Sequence, residues 1–226
     1  MIYKYETHLH TCEASGCGVS SGAEQAEFHA KMGYTGIFVT DHFFNGNSSV
    51  PHDLPWEERV ELFCLGYEHA KEAGERLGLD VFFGMEWNYN AMEFLTYGID
   101  KQFLLENPKL DTLKPAEFAR RVHKYGGFLS QAHPFREAPY IKEMIQYPEL
   151  SDAAEVINMG NRTAEMNQKA MAYADAHSLA KTAGSDIHDI KKFSNGGMAF
   201  DHRLEDVCDF MKCVSEGKCE LLGDLI

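Results

Sequence analysis

Long apolar runs are missing from this chain. No stretch of about eighteen apolar residues occurs, so nothing reads as a membrane span. The opening Met1-Ile2-Tyr3-Lys4-Tyr5-Glu6 also lacks the apolar core of a signal peptide. Both absences lead to the expectation of a cytoplasmic protein with no membrane partner. No two of the six cysteines form a C-x-x-C pair, and a chain of 226 residues needs no disulfide staple. Free thiols are expected, with Cys12 and Cys17 set apart by their position beside two histidines. Positive charge is scarce: 21 Lys and Arg stand against 35 Asp and Glu, a net charge of −14. Such a surface repels a phosphate backbone, which argues against long nucleic acid as a partner. It does not exclude a small phosphorylated substrate, because bound cations reverse the local sign. Linkers, repeats and low-complexity segments are absent too, so residues 1–226 are read as one domain.

Eleven histidines, by contrast, are many for this length. Short apolar runs predict strands over 2–9, 35–39, 80–85, 93–99, 128–132, 153–157 and 179–183. Helices are expected over 22–32, 56–77, 115–125, 163–177 and 203–216, the first capped by Ser20 or Ser21 and the fourth by Thr163. The long polar loop 43–55 reads as a substrate lid or a plain surface excursion. Alternation of strand and helix favours a parallel sheet with crossover helices, closed into a barrel or doubly wound.

Five of the strands end on metal-binding chemistry: Thr7-His8-Leu9-His10-Thr11, Thr40-Asp41-His42, Gly84-Met85-Glu86, Ala132-His133-Pro134 and Gly184-Ser185-Asp186-Ile187-His188. His8 and His10 lie two apart and point to one side of an extended chain, as a metal half-site does. Singly, each histidine could bond a carbonyl and each carboxylate cap a turn. Jointly, His8, His10, His42, Glu86, His133, Asp186 and His188 all fall at C-terminal strand ends, whereas His29, His69, His123 and His177 fall in helices. A closed barrel gathers the ends of all its strands around one mouth, so the pattern favours the barrel.

The order H-x-H, T-D-H, G-x-E, A-H-P and G-S-D-x-H, spread from Tyr5 to Asp189, resembles the PHP (polymerase and histidinol phosphatase) superfamily. The resemblance implies a distorted (β/α)7 barrel, a site for two or three divalent ions (Mn, Fe or Zn), and phosphoester hydrolysis. It implies that His8, His10, Glu86 and Asp186 hold one ion, that Glu86 bridges to a second also bound by His133, and that His42 and His188 hold a third. The chain departs from the family pattern twice. The usual His or Asp after H-x-H is replaced by Cys12-Glu13-Ala14-Ser15-Gly16-Cys17, so Glu13 or a thiol would have to complete the third position. Glu93 stands where many members have a histidine, and a carboxylate there favours harder ions such as Mn or Fe.

Clustered ions lower the pKa of a bridging water and neutralise phosphate oxygens. Arg136 and Arg162 near the mouth are candidate phosphate clamps. Asp186 or His188 is the candidate source of a proton for the leaving oxygen. The expected activity is hydrolysis of a small phosphomonoester, as in histidinol phosphatases. The alternatives are a 5′ exonuclease acting on oligonucleotides and a non-catalytic, metal-stabilised interaction module.

Overall fold

The computed structural model describes residues 2–223. Among the described residues nine strands form one mixed sheet: β1 (Tyr3–Leu9), β2 (Gly36–Val39), β3 (Asp80–Tyr89), β4 (Met92–Tyr97), β5 (Phe128–Gln131), β6 (Ala153–Asn158), β7 (Ala180–Gly184), β8 (Gly197–Phe200) and β9 (Glu220–Leu222). Their order is β7-β6-β5-β4-β3-β2-β1-β8-β9. The two ends of the β1–β7 series approach each other. Thr7 Oγ1 donates to the Ala183 carbonyl at 2.5 Å. Beyond β7, Asp186 N–H donates to the His8 carbonyl at 2.9 Å, and His10 N–H to that of Ile187 at 2.9 Å. The sheet is therefore nearly closed and barrel-like.

It is not a regular (β/α)7 barrel. β1, β2 and β3 are parallel, as are β5, β6 and β7, but β4 runs antiparallel to both its neighbours. The reason is the connection. β3 continues past Glu86 to Tyr89, and only Asn90 and Ala91 separate it from β4. A two-residue link can join only antiparallel strands, since a parallel pair needs a crossover of a dozen or more residues. Asn90 and Ala91 both have positive φ (52° and 65°), as the tightest hairpin turns require. β8 and β9, absent from the sequence reading, add an antiparallel pair beside the first half of β1.

Helices cover the outside: α1 (Gly22–Lys31), α2 (Trp56–Leu77), α3 (Lys101–Glu106), α4 (Pro115–Tyr125), α5 (Ala164–His177) and α6 (Val207–Ser215). Ser21 caps α1 in a reciprocal box with Glu24. Asp100 caps the short α3, which the sequence reading left out. Thr163 precedes α5 without a side-chain cap bond. The apolar side chains pack into one cluster around Tyr5, Phe38, Tyr97 and Phe210 and another around Phe43, Phe63, Trp87 and Phe118. Among the described residues no helix is long and apolar enough to cross a membrane.

One buried group makes the fold acid-sensitive. His29 on α1 is fully buried against Phe28, Tyr34 and Phe193, and its Nδ1–H donates to the Gln25 carbonyl at 2.8 Å. Burial lowers its pKa from 6.5 to about 4. The unfolded chain takes up the proton first, so stability is full above 6.5 and is lost as pH falls towards 4, by about 3 kcal/mol. We expect His29→Leu to flatten this part of the stability curve in urea melts taken between pH 7 and pH 4. An unchanged slope in the variant would remove His29 as the cause.

Candidate metal centre

The strand ends meet at one mouth because neighbouring backbones are tied there. His42 bridges to Glu86 across β2 and β3, and Leu9 to Ile187 across the seam. Glu86 stands at the centre. Its Oε1 lies 3.3 Å from His8 Nε2 and 3.1 Å from His133 Nε2. Its Oε2 lies 2.6 Å from His42 Nδ1 and 3.6 Å from His10 Nε2. Asp186 Oδ1 is 3.2 Å from His10 Nε2 and 3.5 Å from His8 Nε2. Glu93 reaches in from β4, with Oε2 3.5 Å from His133 Nε2 and Oε1 3.8 Å from His42 Nδ1. The His188 ring stacks on that of His10, with centroids 4.3 Å apart.

The donors fall into overlapping triads whose atoms lie within 4.8 Å of one another: His8, His10 and Glu86; His8, His133 and Asp186; His42, Glu86 and Glu93; and His10, His42 and His188. These sets of imidazole and carboxylate suit divalent ions. A second observation points the same way. His42 Nδ1 and Glu86 Oε2 are buried and closely apposed, yet neither makes a hydrogen bond of acceptable geometry. Leaving two such atoms unpaired costs free energy that a shared cation would recover.

The charges are arranged to the same end. Burial works against ionisation of Glu86, but the facing charges of His8 and His42 outweigh it and hold its carboxyl well below the ordinary range. Asp186 is held down likewise by Arg136, His8 and His10. Glu93, buried beside the Glu86 charge, is pushed up. His8 and His42 are raised by their carboxylate neighbours despite burial. His10 is lowered well below the usual value by burial and by the adjoining His42 and His188. Cations entering here would displace protons from the raised imidazoles.

Backbone strain accompanies the site. His133 and Asp186 both have positive φ (27° and 56°). Such conformations cost about 1–3 kcal/mol each and are held only where the surroundings enforce them. Gly184 is required for a different reason: a Cβ there would lie 2.4 Å from the His8 Cβ and 2.8 Å from Glu155 Oε1.

Glu155 is the main residue that the sequence reading missed. Buried in the middle of β6, its Oε1 lies 2.8 Å from His8 Nδ1, and its Oε2 accepts from His133 N–H at 3.0 Å and from Asn158 Nδ2 at 2.8 Å. It thereby turns His8 Nε2 towards the cluster. Its only signal in the sequence is a carboxylate inside the apolar run Ala153-Ala154-Glu155-Val156-Ile157. We expect Glu155→Gln to weaken metal binding about 10–100-fold, measured by competition with a chromogenic chelator. Unchanged affinity would show that His8 needs no such support.

The remaining candidates separate. Arg136 lines the mouth and joins the cluster: its guanidinium donates to Asp186 Oδ2 at 2.6 Å, to Asn158 Oδ1 at 2.7 Å and to Asn161 Oδ1 at 3.1 Å. Arg162 is exposed and lines a smaller neighbouring cavity of about 150 Å³ that it shares with Arg136. Glu13 lies outside the cluster, with its carboxylate accepting from Gly22 N–H at the start of α1 and lying 2.9 Å from His69 Nδ1. Cys17 lines the mouth beside His42 and His188. Burial opposes its ionisation, but hydrogen bonds with those two histidines outweigh it and bring the thiol down to about 6. The opening measures about 650 Å³, and Asn45, Asn47, Asn88 and Tyr140 form other parts of its wall. Loop 43–55 thus supplies part of the wall.

Comparison with known proteins agrees with this architecture. Residues 164–219 match the family model described as PHP-associated. No match is found among curated proteins. Among solved structures, a two-domain protein of Bacteroides vulgatus containing a predicted PHP-like metal-dependent phosphoesterase superposes with a TM-score of 0.73 at 15% identity, over 98% of this chain and 64% of its own. A candidate metal-dependent phosphoesterase of Bifidobacterium adolescentis gives a TM-score of 0.56 at 16% identity, over 93% of this chain and 95% of its own. The lesion-specific endonuclease PfuEndoQ of Pyrococcus furiosus gives 0.65 at 12% identity, over 98% of this chain and 58% of its own. The chain thus spans less than two thirds of the first and third of these proteins. At such identities the likeness is one of fold. The family match covers the α5–α6 region alone, and what these solved structures share with this chain is the fold.

Proposed function

We propose that the chain is a metal-dependent phosphoesterase that hydrolyses a small phosphomonoester. The observation that carries this reading is the convergence of Glu86, Glu93, Asp186 and five imidazoles at a mouth whose wall bears Arg136. His8, His10, Glu86 and Asp186 would hold one ion; Glu86, Glu93 and His133 a second; His42 and His188 face a third position. Ions bound there supply an activated water and neutralise phosphate oxygens.

The protein's own groups do the rest. Arg136 presents a guanidinium already oriented by Asn158 and Asn161, suited to hold a phosphate oxygen. Arg162, on the neighbouring cavity, would meet a more distant part of the substrate. Asp186 is held anionic, which favours charge pairing over proton delivery. His188 is the more exposed of the two, and its Nδ1–H donates to the Asp186 carbonyl at 2.8 Å, so its other nitrogen is the one that would serve the leaving oxygen when only two ions are bound. An opening of about 650 Å³ is of small-molecule size. The acidic chain favours the same class of substrate. Phosphodiester cleavage in an oligonucleotide is the second reading, favoured by the fold shared with PfuEndoQ.

The test is phosphate release by metal-stripped protein reloaded with Mn, Fe, Zn, Co or Mg in turn. The substrates are p-nitrophenyl phosphate, a panel of natural monophosphates, bis-p-nitrophenyl phosphate and short oligonucleotides. Metal-dependent turnover of monoesters above diesters supports the proposal. Cleavage of oligonucleotides alone would replace it with the second reading. No hydrolysis with any metal would sink both and leave a metal-stabilised interaction module.

A further inference from the structure

Another group of metal-type donors lies away from the mouth. His202 Nε2 is 2.9 Å from Asp209 Oδ2, and Cys213 Sγ is 3.8 Å from Asp209 Oδ1. The three residues offer ligand atoms that all lie within 4.8 Å of one another. Asp209 and Cys213 stand four apart on α6 and so share a face. His202 comes from the turn after β8. Phe200, the last residue of β8, pairs with Tyr3 at the start of β1. From Tyr3 to His8 the extended strand runs about 17 Å, so this group is separate from the centre around Glu86.

The turn that carries His202 is held by bonds outside the group. Arg203 donates to both carboxylate oxygens of Asp80, at 2.7 and 2.9 Å, and to the Gly78 carbonyl at 2.8 Å. Leu204 N–H donates to Tyr5 Oη at 3.0 Å. Asp206 caps α6 by accepting from the Asp209 N–H at 2.9 Å. Asp209 Oδ2 also accepts from the Glu205 N–H at 3.1 Å. The His202 ring faces carboxylates on both sides, with Nδ1 2.7 Å from Asp201 Oδ1. A neutral imidazole carries one N–H and can satisfy only one of them. With that proton on Nδ1, Nε2 and Asp209 Oδ2 are two lone-pair donors that a cation must join. A proton would account for this pair alone, whereas a metal ion accounts for the buried Cys213 sulfur as well. Asp201 is then the carboxylate that orients a ligating histidine from behind.

We propose that His202, Asp209 and Cys213 form a further site for a zinc-class ion, with solvent completing its fourth position on the exposed His202 side. Imidazole, thiolate and carboxylate are the donors zinc takes, and sulfur selects zinc-class ions over Mn or Mg. As the sulfur–metal bond forms, the thiol proton leaves to solvent. The imidazole gives its Nε2 lone pair and keeps its Nδ1 proton towards Asp201. The ion would clip the turn after β8 to α6, whose Phe210 packs against Phe38 and Tyr97. The site does not depend on the phosphoesterase reading.

The test uses metal-stripped, full-length protein titrated with Co²⁺. Wild type is expected to show a near-ultraviolet thiolate-to-cobalt charge-transfer band that Cys213→Ser and His202→Ala lack and Cys17→Ser keeps, with the fold of each variant checked by circular dichroism. His202 is exposed, so its replacement keeps the test decisive even where the buried Cys213→Ser fails to fold. In equilibrium dialysis His202→Ala is expected to bind one zinc fewer per chain than wild type. A band that survives His202→Ala, a band lost in folded Cys17→Ser, or cobalt bound by wild type with no such band overturns the proposal and leaves the phosphoesterase reading standing. Equal zinc on wild type and His202→Ala does the same. No cobalt bound at all overturns both.

Discussion

Glu86→Gln will lower metal-dependent phosphate release by at least about a thousandfold, which is about 4 kcal/mol of transition-state stabilisation. The two oxygens of Glu86 serve different partners, one facing His8 and His133 and the other facing His42 and His10. Glutamine keeps the shape but replaces one oxygen by an amide nitrogen, which has no lone pair to offer a cation. A residue between two ions therefore becomes a ligand to one at most. The ions bound per chain are expected to fall by at least one, read by elemental analysis after dialysis. A variant that retains both activity and metal would show that Glu86 is not the bridge.

Stripping the metal will lower the melting temperature by about 15 °C or more. The ion-free cluster keeps Glu86 and Glu93 buried side by side, and the second is pushed up by burial and by the charge of the first. A cation removes that repulsion. One site held a thousandfold above its dissociation constant adds about 4 kcal/mol, and each 1 kcal/mol moves the melting point by about 2–4 °C in a domain of this size. Two filled sites thus give a gap of this order. The gap is expected to shrink as pH falls, because His8 and His42 bind protons more strongly than usual in the ion-free cluster and metal must displace them. Thermal melts with Mn²⁺ or with chelator across pH 5 to 8 measure it. Coincident melts would mean that the cluster holds no ion tightly.

The sequence revealed the cluster better than the sheet that presents it. His8, His10, His42, His133, Asp186 and His188 stand out because each follows a short apolar run, and a shared position at strand ends is visible along a chain. The antiparallel β4 was hidden because its turn, Asn90-Ala91, lacks the glycine that usually marks a two-residue hairpin. Without that mark the two strands read as separate units of a repeating pattern. β8 and β9 span four and three residues, too few to show a period. Glu155 escaped because it lies inside a strand, and its partner His8 is 147 positions away. Its role exists only once the sheet has curled far enough to bring β1 beside the β6–β7 edge. Glu13 illustrates the opposite limit. It is the first carboxylate after H-x-H in sequence, yet it turns to the start of α1, where the Gly22 N–H and the helix dipole attract an anion.

The central claim is that the gathered histidines and carboxylates hold ions that carry phosphoester hydrolysis. Its most direct test is a titration of metal-free protein with Mn²⁺ and with Zn²⁺, separately and together, following ions bound and phosphate released from p-nitrophenyl phosphate in the same samples. We predict no turnover in the metal-free protein and turnover that rises with the second ion and saturates by the third. Full turnover in the presence of excess chelator, or two to three ions bound with no turnover of any monoester or diester, would contradict it.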